Sequence, residues 1–186
     1  VIQLLWESIM GLTPNDENEM QWEKEYGLGD KYPAYRISYK DVETFIAKLN
    51  EYTGLHFALP TEAQWEYAAK GGANTNYELY AGDGNVLEVA WIERNSDKSS
   101  EVGMKKPNGL GLYDMSGNVW EMTQDWYYDY SEEAVTDPIG EAYNEGYKVF
   151  RGGSWYTNDQ SARVTARSKQ GIHYRDFSTG FRLVIK

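Results

Sequence analysis

The 186-residue chain contains no cysteine. That absence excludes disulfides, thiolate metal sites and every mechanism that runs through a cysteine nucleophile. Histidine is almost as scarce, with two in the whole chain, too few for a site built from a cluster of histidines. No run of 18 or more apolar residues occurs, so no membrane-spanning helix is expected. Positive charge is outweighed, 18 Lys and Arg against 29 Asp and Glu, for a net charge of −11. A chain this acidic repels phosphate backbones, and nucleic acid is not expected among its partners.

What is present reads as globular. Hydrophobic residues make up 41% and charged residues 25%, and the length suits one domain, expected over residues 1–186, with a core of useful size. Aromatics reach 15%, including 7 Trp and 16 Tyr. Such side chains fill cores, and they also supply contact area at low rotamer cost on binding surfaces.

Helical signals come first. Residues Gln3 to Met10 place Leu4, Leu5 and Ile9 on one side, and Gly11 is a natural stop. Residues 12–34, with Glu17, Glu19, Glu23 and Glu25, read as an exposed acidic loop. Ser38 then caps a helix whose apolar stripe is Val42, Phe45, Ile46, Leu49 and Tyr52, ending at Gly54. Thr61 and Gln64 form a capping box for a third helix, with Trp65, Ala68 and Ala69 buried before Gly71 and Gly72. Beyond residue 72 helical periodicity fades, and short strands are expected at 119–123, 147–151, 162–167 and 181–185. The loops between them far exceed the usual length of about 4–6 residues, and long loops in a compact domain carry function.

Three blocks are distinctive: LPTEAQWEYAA at 59–69, NGLGLYDMSGNVWE at 108–121, and RGGSW at 151–155 followed by Arg163-Val164, Arg167 and GFRL at 180–183. In content and order they resemble the formylglycine-generating-enzyme (sulfatase-modifying factor) family. The resemblance implies an α+β, C-type-lectin-like fold in which helices flank small, irregular antiparallel sheets joined by long loops. It also implies a further N-terminal stretch, including a strand, outside the sequence given, since Val1 opens directly onto what looks like domain interior.

Active members of that family oxidise a substrate cysteine with two cysteines of their own, which bind copper; thiolates suit Cu(I) because both are soft. Here the corresponding segment, Tyr156 to Ala162, holds no sulfur. Formylglycine formation is therefore excluded, and a non-enzyme is expected. A related branch uses iron held by histidines, but His56 lies in the apolar run Leu55 to Ala58 and reads as structural, and His173 stands alone in a C-terminal loop. Ser154 has no histidine nearby to activate it, and Glu132-Glu133 reads as a solvated pair.

No cofactor is required, but the resemblance implies a structural calcium ion held by the side chains of Asp114 and Glu121 and by carbonyls around Gly117 and Val119. Tight glycine turns do aim carbonyls inward, as calcium needs. The competing reading is that Asp114 caps the turn through backbone amides while Glu121 pairs with an arginine.

Arg163, Arg167 and Arg182 are expected to hold the C-terminal loops through hydrogen bonds to carbonyls and carboxylates. Around them lie Trp155, Tyr156, Thr157, Asn158, Asp159, Gln160, Ser161, Thr165, Ser168, Lys169, Gln170, His173, Tyr174, Arg175 and Ser178. Tyrosine for area beside Ser, Thr, Asn and Gln for adaptable hydrogen bonds resembles a paratope. A cysteine-free group with this layout, the variable proteins of diversity-generating retroelements, keeps the framework and randomises the positions between. The expectation is thus a binding protein at the bacterial surface, with a protein or other surface ligand as partner. A lipid anchor, if there is one, belongs to the upstream stretch. The alternatives are a structural subunit of a secretion or motility apparatus and, more weakly, an enzyme of unrecognised chemistry.

Overall fold

A computed structural model describes residues 1–11, 22–73, 78–130, 135–136, 138–140 and 146–186. The expected pair Glu132-Glu133 and residues 12–21 of the acidic loop lie outside the described residues.

Helix α1 spans Gln3–Met10 and ends on Gly11 in the left-handed conformation. Its buried side differs from expectation: Leu4 and Leu5 are exposed, whereas Gln3 and Trp6 face inward. Gln3 is buried because the chain at 27–33 folds over it, accepting Nε2 at the carbonyls of Gly27 and Pro33 and donating the Gly29 amide to Oε1. This correction extends to the acidic loop, where Trp22, Pro33 and Ala34 are buried. Helix α2, Tyr39–Thr53, has the Ser38–Asp41 capping box and buries Val42, Phe45 and Leu49. Tyr52, expected on the same stripe, is exposed instead. Helix α3, Glu62–Ala69, carries the expected Thr61–Gln64 box and buries Trp65. A short helix α4 covers Val86–Val89.

Strand β1 is Phe57–Ala58, β2 Trp120–Trp126, β3 Tyr147–Arg151, β4 Arg167–Gly171, β5 Thr179–Phe181 and β6 Val184–Ile185. They form a four-stranded sheet in the order β4-β3-β2-β5 and a two-stranded β1-β6 pair. The sheets are small, but one pairing is parallel, β2 with β5. Two of the expected strands are displaced. The segment 162–167 turns rather than extends, because the Arg151 guanidinium occupies the carbonyls of Val164, Thr165 and Ala166, and strand pairing begins only at Arg167. The expected 181–185 strand is split, since Arg182 turns aside to Glu121 and the chain then leaves one sheet for the other.

The main core packs α1 and α2 on one face of the sheet. Trp6 stacks on Phe45 at 5.1 Å, with Phe181 edge-on to both, and Trp120, Met122 and Phe150 complete the layer. Alternation along β2 sends Glu121 to the other face, toward Trp65 of α3. Two smaller clusters lie beyond, and each takes one residue of the C-terminal segment: Val164 joins Trp65, Ala69 and Met115, and Ala162 joins Tyr80, Val89 and Ile92.

Candidate ligand-binding surface

The glycine-rich blocks are where separate chain segments cross. Gly117 has φ +75°, and a Cβ there would sit 2.3 Å from the Trp91 carbonyl oxygen. Its amide donates to the Gly152 carbonyl, and the next residue, Asn118, accepts the Trp155 amide at its own carbonyl. Gly153 leaves no room either, since a Cβ would lie 2.8 Å from the Ser161 carbonyl oxygen. Only glycine permits both the left-handed backbone and the close crossing.

The arginines divide unevenly. Arg167 donates Nε and Nη2 to the two oxygens of Glu62 at 2.6 and 2.8 Å and lies over the rings of Tyr127 and Tyr130. Arg182 makes the same fork on Glu121. Burial alone would lower the Arg182 pKa, but the charge and hydrogen bonds of Glu121 outweigh it and raise it. Arg151, fully buried, holds Glu66 and three loop carbonyls. It anchors the segment more than any other arginine, a role its place in the RGGSW motif did not reveal. Arg163 departs from expectation: it is exposed, and its side chain has no partner among the described residues. Its neighbours Ala162 and Val164 turn inward, so its own side chain turns out.

From Trp155 to Thr165 the backbone is pinned from outside. The Glu93 amide donates to the Thr157 carbonyl, the Val164 amide to Leu79, and Ser116 Oγ to the Ala162 carbonyl at 2.8 Å. Side chains between these anchors project outward: Tyr156, Asn158, Gln160, Arg163 and Thr165 are exposed, while Thr157, Asp159 and Ser161 are half-buried. Asp159 pairs with Arg94 at 2.9 Å, and Asn158 closes a turn on the Ser161 amide. Two expected contact residues face inward and are corrected. Trp155 is 5% exposed because it packs between Tyr26, Tyr156 and Phe177. Ser178 is buried where the chain meets β2: its carbonyl accepts the Trp120 amide, and its amide and hydroxyl donate to Asp176 Oδ1.

The second stretch joins the first through Phe177, whose ring meets Tyr156 edge-on at 5.3 Å and stacks on Tyr26 at 4.8 Å. Tyr156 is 62% exposed, so the surface has an aromatic centre made from three distant parts of the chain. Phe177 and Tyr26 carry no local sequence signal for this. His173 and Tyr174 are exposed, and Arg175 reaches back to Asp41 of the α2 cap at 3.0 Å. Ser168, Lys169 and Gln170 lie on β4, where Lys169 sits over the rings of Tyr127 and Tyr147.

The implied calcium ligands do not fit a cation as they are arranged. Both Glu121 oxygens receive Arg182, and Oε2 also accepts Trp65 Nε1 at 2.7 Å. Arg182 Nη2 further donates to the Tyr113 carbonyl at 3.0 Å. Both oxygens of Glu121 are thus taken by a guanidinium instead of being left for a cation. Asp114 Oδ2 accepts the Gly103 amide, while Oδ1 is buried without a partner, and burial raises this carboxyl's pKa.

The match to known proteins runs through the whole frame. The family model for the sulfatase-modifying factor enzyme 1-like domain covers residues 4–186. The formylglycine-generating enzyme of Streptomyces coelicolor is 33% identical over 169 residues, covering 81% of this chain and 52% of that protein. The chaperone protein LppX of Paenibacillus barcinonensis is 32% identical over 146 residues, covering 69% and 49%. The chain thus spans about half the length of these two relatives. Among solved structures, Treponema denticola variable protein 1 superposes with a TM-score of 0.85 at 29% identity, covering 98% of this chain and 81% of that one. Motif, fold and family model agree: the chain belongs to the sulfatase-modifying factor (formylglycine-generating enzyme) family, with a C-type-lectin-like fold and no cysteine.

Proposed function

We propose that this chain is a non-catalytic ligand-binding domain of the variable-protein kind, displayed outside the bacterial cytoplasm, with its C-terminal loops as the contact surface. One observation carries the reading: between 155 and 165 the backbone is tied to the rest of the fold, while Tyr156, Asn158, Gln160, Arg163 and Thr165 are exposed, the last three with no side-chain hydrogen bond or ion pair among the described residues. A loop built this way tolerates many sequences on one scaffold, which binding diversity requires. The likeness to Treponema denticola variable protein 1 supports it, as does the lack of the thiolates that the family's copper chemistry uses.

The retroelement part is tested in the neighbouring DNA. A near-repeat of codons from about 150 to 186, beside a reverse transcriptase gene and differing mainly at adenines, is expected. Its absence removes that part. The binding part is tested by replacing Gln160, Arg163 and Thr165 together: the melting transition should be retained while capture of a surface ligand is lost.

A further inference from the structure

A cavity of about 440 Å³ opens between the outer face of α3 and the chain that follows β2. This lies within the size range of small-molecule sites, roughly 300–1,000 Å³. Helix α3 contributes Glu62, Glu66 and Tyr67, and its C-cap Lys70 lies four residues beyond Glu66; β2 adds Asp125, and the following segment adds Tyr130.

The acids in this groove are already partnered. Glu62 is held by the Arg167 fork and by the Tyr130 hydroxyl at 3.0 Å. Glu66 receives Lys70 and Arg151. Asp125 accepts two backbone amides, from Glu62 at 2.6 Å and Gly140 at 2.7 Å, and burial raises its carboxyl pKa. Every one of these acids is already engaged, Glu62 by Arg167, Glu66 by Lys70 and Arg151, and Asp125 by two amides, so none is left unpartnered for a cation. What remains is a set of acceptors fixed in place by their ion pairs, and a Tyr67 hydroxyl without a hydrogen-bond partner among the described residues. Two tyrosine rings, Tyr67 and Tyr130, are 57% and 59% exposed. Arg167 covers one face of the Tyr130 ring, while Tyr67 makes no ring contact among the described residues; fixed polar groups beside such a ring suit a neutral ring with hydroxyls on its rim and C–H groups on its faces.

We infer that this groove is a binding site for a neutral saccharide, with the tyrosines supplying stacking area and the ion-paired carboxylates accepting hydroxyl hydrogens. None of the residues that line it is among the exposed side chains of the 155–165 loop, so the site stands independently of the function proposed above.

The test is a titration of the chain, by calorimetry and by amide NMR, with four neutral disaccharides: maltose, lactose, cellobiose and N,N′-diacetylchitobiose. N-acetylneuraminic acid and Nα-acetyl-lysine methylamide serve as anionic and cationic comparators. At least one disaccharide should bind with a Kd of about 1 mM and shift the amides of α3, and Tyr67→Ala should weaken it about tenfold or more. Because Tyr67 is more than half exposed, that variant should melt as the parent does, and Tyr67→Phe should show a smaller loss. Tyr156→Ala should leave the affinity unchanged, separating this site from the loop surface. The inference is overturned if no disaccharide shifts α3 at about a hundredfold above that Kd, if Tyr67→Ala binds as tightly as the parent, or if a charged comparator binds in preference.

Discussion

Arg182 closes on Glu121 with Nε 2.5 Å from Oε2 and Nη2 2.8 Å from Oε1, joining the last turn of the chain to the start of β2 across 61 positions. The pair lies beneath the 114–121 turn and ties it to α3 through Trp65. Removing one member strands the other. Glu121→Gln should lower unfolding stability by about 3 kcal/mol, the range for breaking a buried pair, read from urea denaturation midpoints at constant slope. A loss under about 0.5 kcal/mol would show that the pair is solvated.

The same pair governs the response to metal. With Arg182 occupying the position between Glu121 and the Tyr113 carbonyl, chelator should leave the melting midpoint unchanged, and added calcium should not raise it. A midpoint that falls on chelation would mean that an ion displaces the guanidinium and recruits the free Asp114 oxygen.

Within the C-terminal segment, neighbouring positions should respond in opposite ways. Single alanine substitutions at Gln160, Arg163 and Thr165 should each stay within about 0.5 kcal/mol of the parent. Trp155→Ala, one residue before exposed Tyr156, should cost about 3–5 kcal/mol because it empties a buried aromatic cluster. Thermal melts of the four variants decide this.

Stability should rise as pH increases above 8. Lys148 is buried between the rings of Tyr39 and Trp126, and burial lowers its pKa to about 8. An unfolded lysine keeps its proton to about 10.4. Between those values the unfolded chain binds more protons, so this residue favours folding increasingly as pH climbs. Tyr39 and Tyr130 act in the opposite direction above about pH 10, because burial keeps their hydroxyls protonated in the fold. Urea midpoints at pH 7.5, 8.5 and 9.5 should therefore increase in the parent, and Lys148→Met should flatten the trend.

Local signals were legible wherever a residue acts on its own neighbours. The Ser38 and Thr61 caps, the Gly11 and Gly54 stops and strand 147–151 all follow from short-range chemistry. Where the burial or partner comes from far along the chain, the same reasoning failed. Leu4 and Leu5 lie outward and Gln3 inward because the chain at 27–33 supplies Gln3 with polar partners. The 162–167 segment turns because a buried arginine takes its carbonyls.

The candidate surface shows the same division. Sequence alone determined the family frame, the absence of thiolate chemistry and the segment whose side chains vary in character, since these depend on which residues are present and in what order. Tertiary structure decided which of those side chains face outward. It buried Trp155 and Ser178, freed Arg163, and brought Tyr26 and Phe177 to Tyr156. The physical reason is that burial is a property of packing between distant segments, and a residue's own neighbours in the chain carry no record of what folds over it.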